Sequence, residues 1–100
     1  MFDVFASYAR PADETAFASH YRAVHVPLTQ AMPGLLEFTW GLGDRPESHV
    51  VARMTFRDEE SADAAFASPE GVAAAGDLAS FAGAGVHLVR VPREPLTPTA

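Results

Sequence analysis

The sequence predicts an α+β fold, in the order strand, helix, strand, strand, helix, strand. Three observations lead to this prediction. Apolar residues recur at three- and four-residue steps within residues 12–31, as in an amphipathic helix. A second helical region, residues 58–82, contains two helix-start signals. The remaining apolar segments are short and are bounded by proline, glycine and polar turn residues, which is typical of strands.

The first half of the chain contains a strand, a helix and a hairpin. Residues 2–9 are mixed apolar and are closed by Arg10-Pro11, which predicts a strand. Residues 12–31 form the first helix, with Asp13 as a plausible N-cap. Pro27 lies inside that pattern, so we expect a break or kink there. Residues 35–42 alternate apolar and polar side chains, and after the turn "GDRPES" residues 49–56 form the third predicted strand.

The second half contains two helical pieces and a last strand. Residues 58–67 begin with acids, which favour a helix N-terminus. Ser68 is predicted to cap a second piece whose first helical residue is Pro69. Glycines end this helix, and residues 85–92 follow as the fourth strand. The sequence therefore predicts one domain over residues 1–92 and an extended, proline-containing tail over residues 93–100.

This order of elements is that of the ferredoxin-like βαββαβ fold, a four-stranded antiparallel sheet with helices on one face. The strands carry neighbouring apolar residues that point to opposite faces of the sheet: Val4 and Phe5, Val50 and Val51, Leu88 and Val89. The helices can cover only one face. We therefore expect a second copy of the chain to cover the other face, giving a homodimer.

Composition excludes several classes of function. The formal charge is −6 and lysine is absent, which argues against a nucleic-acid partner because phosphates require a basic surface. Without cysteine, there can be no disulfide, thiolate nucleophile or cysteine-ligated metal. No segment is long and apolar enough for a membrane span, and the N-terminus does not read as a signal peptide. We expect a cytoplasmic protein.

Two motifs resemble a known family. The stretch "HYRAVHVPL", followed by "MPGL" and an aromatic strand, is similar to sequences of the EthD-like family in the dimeric α/β-barrel superfamily. The stretch "SPEGVAAAGDLASFAGAGV" strengthens the resemblance, which covers roughly residues 15–86. It implies a ferredoxin-like subunit that pairs sheet to sheet with another copy. The superfamily includes isomerases, cyclases, cofactor-free monooxygenases and haem enzymes, so the fold alone does not determine the chemistry.

His20 and His25 are the candidate catalytic residues. Imidazole suits general acid–base work because its unperturbed pKa is about 6.5. On an ideal helix the two residues lie about 140° apart, so they cannot point at one atom unless the break at Pro27 rotates the second. His25 matches the histidine of the resembled family and is the preferred candidate. The alternative is that they are boundary residues bonded to backbone carbonyls. Their five-residue spacing does not favour a metal site, and none is predicted.

Aromatic side chains are the candidate ligand contacts: Tyr21, Trp40, Phe38 and Phe17. They can line an apolar pocket between the first helix and the sheet, or they can simply form core. The leading prediction is a protein that binds a small hydrophobic or aromatic metabolite and transfers a proton without a cofactor, as in isomerisation, cyclisation or dehydration. The isomerase relatives are thought to use a cysteine, which this chain lacks. The alternatives are a non-catalytic ligand-binding or accessory protein and a cofactor-free monooxygenase.

Overall fold

The structure, a computed structural model, describes residues 1–94; the predicted tail from residue 95 onward lies outside the described residues. Four strands form one sheet: β1 (Phe2–Tyr8), β2 (Glu37–Arg45), β3 (Ser48–Phe56) and β4 (Val86–Pro92). The helical elements are α1 (Glu14–His20), a π-helical segment (Tyr21–His25), α2 (Val26–Gln30), α3 (Glu59–Ala67) and α4 (Pro69–Phe81).

The sheet has the order β2-β3-β1-β4, and every neighbouring pair is antiparallel. Along β1 the side chains of Phe2, Val4, Ala6 and Tyr8 are buried in one core cluster with residues of the helices. The helices thus cover one face of an antiparallel sheet, and the predicted ferredoxin-like fold is confirmed.

Local capping signals were read correctly from the sequence. The Asp13 carboxylate accepts a hydrogen bond from the Ala16 backbone N–H at 3.0 Å, and the Ser68 hydroxyl accepts one from Gly71 at 3.0 Å. Gly71 is required at the start of α4 because an added Cβ would lie 2.2 Å from the carbonyl oxygen of Ala65. This close approach allows α4 to follow α3 directly.

Of the break or kink predicted at Pro27, the break is wrong, because the helix continues to Gln30. The chain instead forms one π-helical turn just before the proline, in which the Val26 N–H bonds the carbonyl of Tyr21. Proline has no N–H to donate and its ring crowds the carbonyl four residues earlier, so a wider turn at this point relieves the conflict. The π-helical segment carries Tyr21 and His25, both buried.

Candidate functional site

A cavity of about 80 Å³ lies between the helices and the sheet. Ala6 and Ala52 are partners in the register of β1 and β3, and they form the middle of its floor. Their short side chains leave the space open, while Phe38 and Met54, also partners in register, border it on one side. The cavity is therefore a consequence of two alanines placed side by side at the centre of the sheet.

Helix α4 forms the roof of the cavity with Ala74, Ala75 and Leu78. Ala75 and Leu88 are exposed, and Leu88 lies on the edge strand β4. The cavity therefore reaches solvent between α4 and the sheet edge. Apolar side chains dominate the lining, and its polar members are Tyr8, Tyr21, His25 and Thr29.

Two buried side chains and one partly buried carboxylate at this site form a chain of hydrogen bonds. The Tyr8 hydroxyl lies 3.2 Å from Nε2 of His25, and Nδ1 of His25 lies 3.1 Å from a carboxylate oxygen of Asp77. His25 is only 5% exposed. A carboxylate can only accept, so Nδ1 carries the proton and donates to Asp77. Nε2 is then an acceptor, and the Tyr8 hydroxyl donates to it.

His20 binds the same carboxylate from the other side. Its Nε2 lies 2.9 Å and 3.0 Å from the two oxygens of Asp77. The expectation that the two histidines diverge by about 140° was tied to an unbroken α-helix. A π turn takes more residues than an α turn, so a five-residue spacing brings both imidazoles toward one side of the helix. His20 does not line the cavity, whereas His25 does.

Burial lowers the pKa of His25 from its ordinary value of 6.5, and the nearby His20 acts in the same direction. The hydrogen bond and the negative charge of Asp77 oppose this lowering without cancelling it. At neutral pH His25 is therefore the neutral tautomer described above. A neutral imidazole with an accepting nitrogen on a cavity can take a proton from a bound molecule.

The lowered pKa predicts that acid destabilises the fold through His25. Below pH 6.5 the unfolded chain takes up a proton at this residue and the folded chain does not, so the free energy of unfolding falls as pH decreases. The loss is at most about 1.4 kcal/mol per pH unit, down to the lowered folded-state pKa. Urea unfolding at pH 5 and pH 7.5 should show a smaller pH dependence in His25→Gln than in the wild type.

His49→Gln is the control with the same chemical change, because His49 lies against Glu14 and takes no part in the His25–Asp77 network. This variant should keep the part of the pH dependence that His25 contributes. An identical pH dependence in the wild type and in His25→Gln would show that His25 is not held neutral by the fold.

The predicted ligand contacts divide into two groups. Tyr21 and Phe38 line the cavity, whereas Trp40 and Phe17 are not among its lining residues. Trp40 packs edge-on against the Tyr21 ring with the centroids 4.9 Å apart, and Phe17 stacks on it at 5.8 Å. These two side chains support the Tyr21 ring rather than bordering the cavity themselves.

Tyr21 is the polar residue of the site whose hydroxyl is left unpaired. Its side chain is 1% exposed, and among buried side-chain polar atoms of residues 1–94 its hydroxyl alone has no hydrogen-bond partner. Burial and the neighbouring Tyr8 raise the pKa of this phenol, so the hydroxyl keeps its proton at neutral pH. It can therefore donate a hydrogen bond to an acceptor that reaches it.

Sequence reasoning missed Tyr8 and Asp77 as site residues. Tyr8 follows Phe2, Val4 and Ala6 at two-residue steps, so the strand period already placed it on the helix-facing side. The signal for Asp77 was a carboxylate in the alanine-rich body of α4, beyond the first turn that carries Glu70, where a partner is needed to offset the cost of burial.

The other histidine near this region does not join the network. His49 lies 3.5 Å from Glu14, at the start of α1. Within the part of the chain that the structure describes, no three histidine, aspartate or glutamate side chains are grouped so that they could hold a metal ion. No helix in residues 1–94 is long and apolar enough to cross a bilayer.

Comparison with known proteins gives consistent matches. The model of the EthD domain matches residues 9–85. An uncharacterized 11.0 kDa protein of the thcB-thcC intergenic region of Rhodococcus erythropolis is 39% identical, covering 98% of this chain and all of the relative. The crystal structure of an EthD family protein from Bacillus halodurans superposes with a TM-score of 0.88 at 30% identity, covering 94% of this chain and 99% of that one. A dimeric ferredoxin-like protein of unknown function from Jannaschia superposes with a TM-score of 0.70 at 19% identity, covering 92% and 98%.

Proposed function

The chain belongs to the EthD family, and on that premise we propose that it binds a small, mainly apolar molecule in the cavity and transfers a proton to or from it through His25. The observation that carries this proposal is the buried His25–Asp77 pair on the wall of an otherwise apolar cavity. Asp77 fixes the imidazole tautomer, so Nε2 is the accepting nitrogen. In the structure Nε2 accepts a hydrogen bond from the Tyr8 hydroxyl. A ligand with an acidic proton would displace the Tyr8 hydroxyl from Nε2.

The roles of the other side chains follow from their positions. His20 is a positioning residue, because it holds Asp77 and does not line the cavity. Tyr21 and Phe38 contact the ligand, while Trp40 and Phe17 fix the Tyr21 ring. Proton transfer of this kind needs no cofactor. It can serve an isomerisation, a cyclisation or a dehydration.

The cavity volume limits the size of the ligand. An apolar cavity of about 150 Å³ accommodates benzene. The present cavity, at about 80 Å³, is smaller. A ligand with one ring would therefore extend through the opening between α4 and β4. Leu88, which is 52% exposed at that opening, would then be covered by the ligand.

Binding is tested by titrating the protein with cyclopentanone, cyclopentanol and phenol while following the methyl resonances of Met32, Met54 and Leu88 by NMR. We expect saturable shifts confined to these cavity methyl groups. Ala52→Leu fills the floor of the cavity and should abolish the shifts. An absence of saturable shifts with all three probes, or shifts that persist in Ala52→Leu, would contradict ligand binding in the cavity.

Proton transfer is tested with cyclopentanone in D₂O. The α-hydrogens of this ketone exchange with solvent once a base removes one of them. Wild-type protein should accelerate the exchange in a saturable manner. Saturable binding without any acceleration would favour the alternative function, a non-catalytic ligand-binding protein.

We also propose that two copies pair through the sheet faces that the helices leave uncovered. Val51 and Val89 lie on that face, opposite to the buried Val50 and the cavity-lining Leu88, and Val89 is 44% exposed. The register places Phe5 beside Val89 on this face, next to the Arg53–Glu37 pair, and apolar surface open to water is a site of association. The Jannaschia protein of the same fold is dimeric.

Val89→Glu should convert the dimer to a monomer, because it places a charge in the paired faces. Sedimentation at micromolar concentration measures the change. Val72→Glu is the matched control, since Val72 is 61% exposed on helix α4, away from the uncovered face. This variant should remain a dimer. A wild-type protein that sediments as a monomer would contradict the pairing.

A further inference from the structure

We infer that the natural ligand carries a carbonyl oxygen, and that the Tyr21 hydroxyl donates a hydrogen bond to it. This inference rests on the proposed function and adds the chemical class of the ligand. The first observation is that the Tyr21 side chain lines the cavity while its buried hydroxyl has no partner. A buried hydroxyl without a hydrogen bond costs free energy, and native proteins leave few such groups.

Among the residues that the structure describes, none provides a hydrogen-bond partner for the Tyr21 hydroxyl. Its ring centroid lies 4.9 Å from Trp40, 5.8 Å from Phe17 and 5.6 Å from Tyr8. The Tyr8 hydroxyl donates to His25 and does not lie within hydrogen-bond distance of the Tyr21 hydroxyl. A phenylalanine would keep all of these ring contacts without burying a polar atom. The hydroxyl is therefore explained by a partner that is present only when the cavity is occupied.

The partner is expected to be an acceptor because of what lies beside Tyr21. The His25 ring centroid is 5.7 Å from that of Tyr21, and the two rings are stacked with an interplanar angle of 29°. His25 offers an accepting nitrogen and Tyr21 offers a donating hydroxyl, on adjacent side chains of one cavity wall. A carbonyl compound with a hydrogen on the neighbouring carbon uses both groups at once.

The proton balance of the step is closed by these two residues. The C–H bond beside the carbonyl breaks, its proton goes to Nε2 of His25, and the electron pair forms the carbon–carbon double bond of an enolate. The negative charge develops on the carbonyl oxygen, where the Tyr21 hydroxyl stabilises it by its hydrogen bond. The proton returns from His25 to carbon in the reverse step. No oxidant or further reactant is needed.

The test compares two probes of nearly equal shape, cyclopentanone and methylenecyclopentane, which differ in having an oxygen or a CH₂ group. Their dissociation constants are measured by NMR in the wild type and in Tyr21→Phe. The two probes differ in how strongly water solvates them. This difference is the same for both protein variants, so it cancels when the ratio of the two constants is compared between them. We expect the preference for the ketone to fall about fivefold or more in Tyr21→Phe.

Two further readouts separate this role from a structural one. Tyr21→Phe should unfold at an equal or higher temperature than the wild type, because it removes an unpaired buried hydroxyl. The ¹³C resonance of the bound carbonyl should move upfield in Tyr21→Phe, since a hydrogen bond to oxygen is lost.

The outcomes distinguish the inference from the function on which it rests. Binding of both probes with an unchanged ratio in Tyr21→Phe would overturn the carbonyl assignment and leave ligand binding intact. A lower unfolding temperature in Tyr21→Phe with no effect on the ratio would assign the hydroxyl to the fold. Failure of the wild type to bind either probe would overturn the proposed function together with the inference.

Discussion

His25→Gln should lower the rate at which the protein exchanges the α-hydrogens of cyclopentanone by a factor of about 10² to 10⁴, which is the usual contribution of a general base. Glutamine preserves much of the size and polarity of the side chain but cannot take up a proton at neutral pH. Binding of cyclopentanone should change little. The exchange rate is measured by NMR in D₂O at a saturating concentration of ketone.

His20→Gln is the matched control for this substitution. His20 binds the same carboxylate as His25 but lies outside the cavity lining. Its replacement should lower the rate by about tenfold or less, since it only helps to hold Asp77. An exchange rate that is unaffected by His25→Gln, or that falls more in His20→Gln, would remove His25 from the role of base.

Asp77→Asn should be the most damaging substitution for stability. The carboxylate accepts hydrogen bonds from His20 and His25, and hydrogen bonds to a charged group contribute about 1.5–3 kcal/mol each. Asn retains one acceptor oxygen, so we expect a loss of about 3 kcal/mol in the free energy of unfolding. For a domain of this size the unfolding temperature should fall by roughly 10 °C or more. Urea and thermal unfolding measure both quantities.

The same substitution should also lower the exchange rate of cyclopentanone. An amide at residue 77 can donate to Nδ1 of His25, which would move the imidazole proton to Nε2 and block the accepting nitrogen. Asp63→Asn is the control for stability, because Asp63 is exposed and pairs with Arg90 on the surface. It should change the free energy of unfolding by no more than about 0.5 kcal/mol. Wild-type stability and rate in Asp77→Asn would contradict the network.

The elements of the fold were predictable because their signals are local. The caps at Asp13 and Ser68 lie within three residues of the groups that they bind, and the strand period places Phe2, Val4 and Ala6 on one face. The predicted helix and strand boundaries differ from the observed ones by at most three residues. The order of these elements was sufficient to predict the fold class.

The site was less predictable because it depends on contacts that are distant in sequence. Asp77 meets His25 across a separation of 52 residues, and Tyr8 meets it across 17. The helical wheel separated His20 from His25 because it assumed one period throughout. Pro27 was correctly identified as a conflict within the helix, but the conflict is resolved by a π turn that brings the histidines together. Local rules do not choose between a break and a wider turn.

The cavity itself illustrates the same limit. Ala6 and Ala52 are unremarkable in the sequence, and they become the floor of a cavity only when the register of β1 and β3 makes them partners. Ala74 and Ala75 then lie above them on α4. Space between layers is thus set by the pairing of small residues, which a single strand or helix pattern does not reveal.

The central claim is that the cavity binds a small molecule and that His25 exchanges a proton with it there. The most direct measurement is the rate of α-hydrogen exchange of cyclopentanone in D₂O, at increasing ketone concentration, for wild type and Ala52→Leu. We expect a saturable acceleration in the wild type that is lost when leucine fills the cavity. No acceleration in the wild type, or the same acceleration in Ala52→Leu, would contradict it.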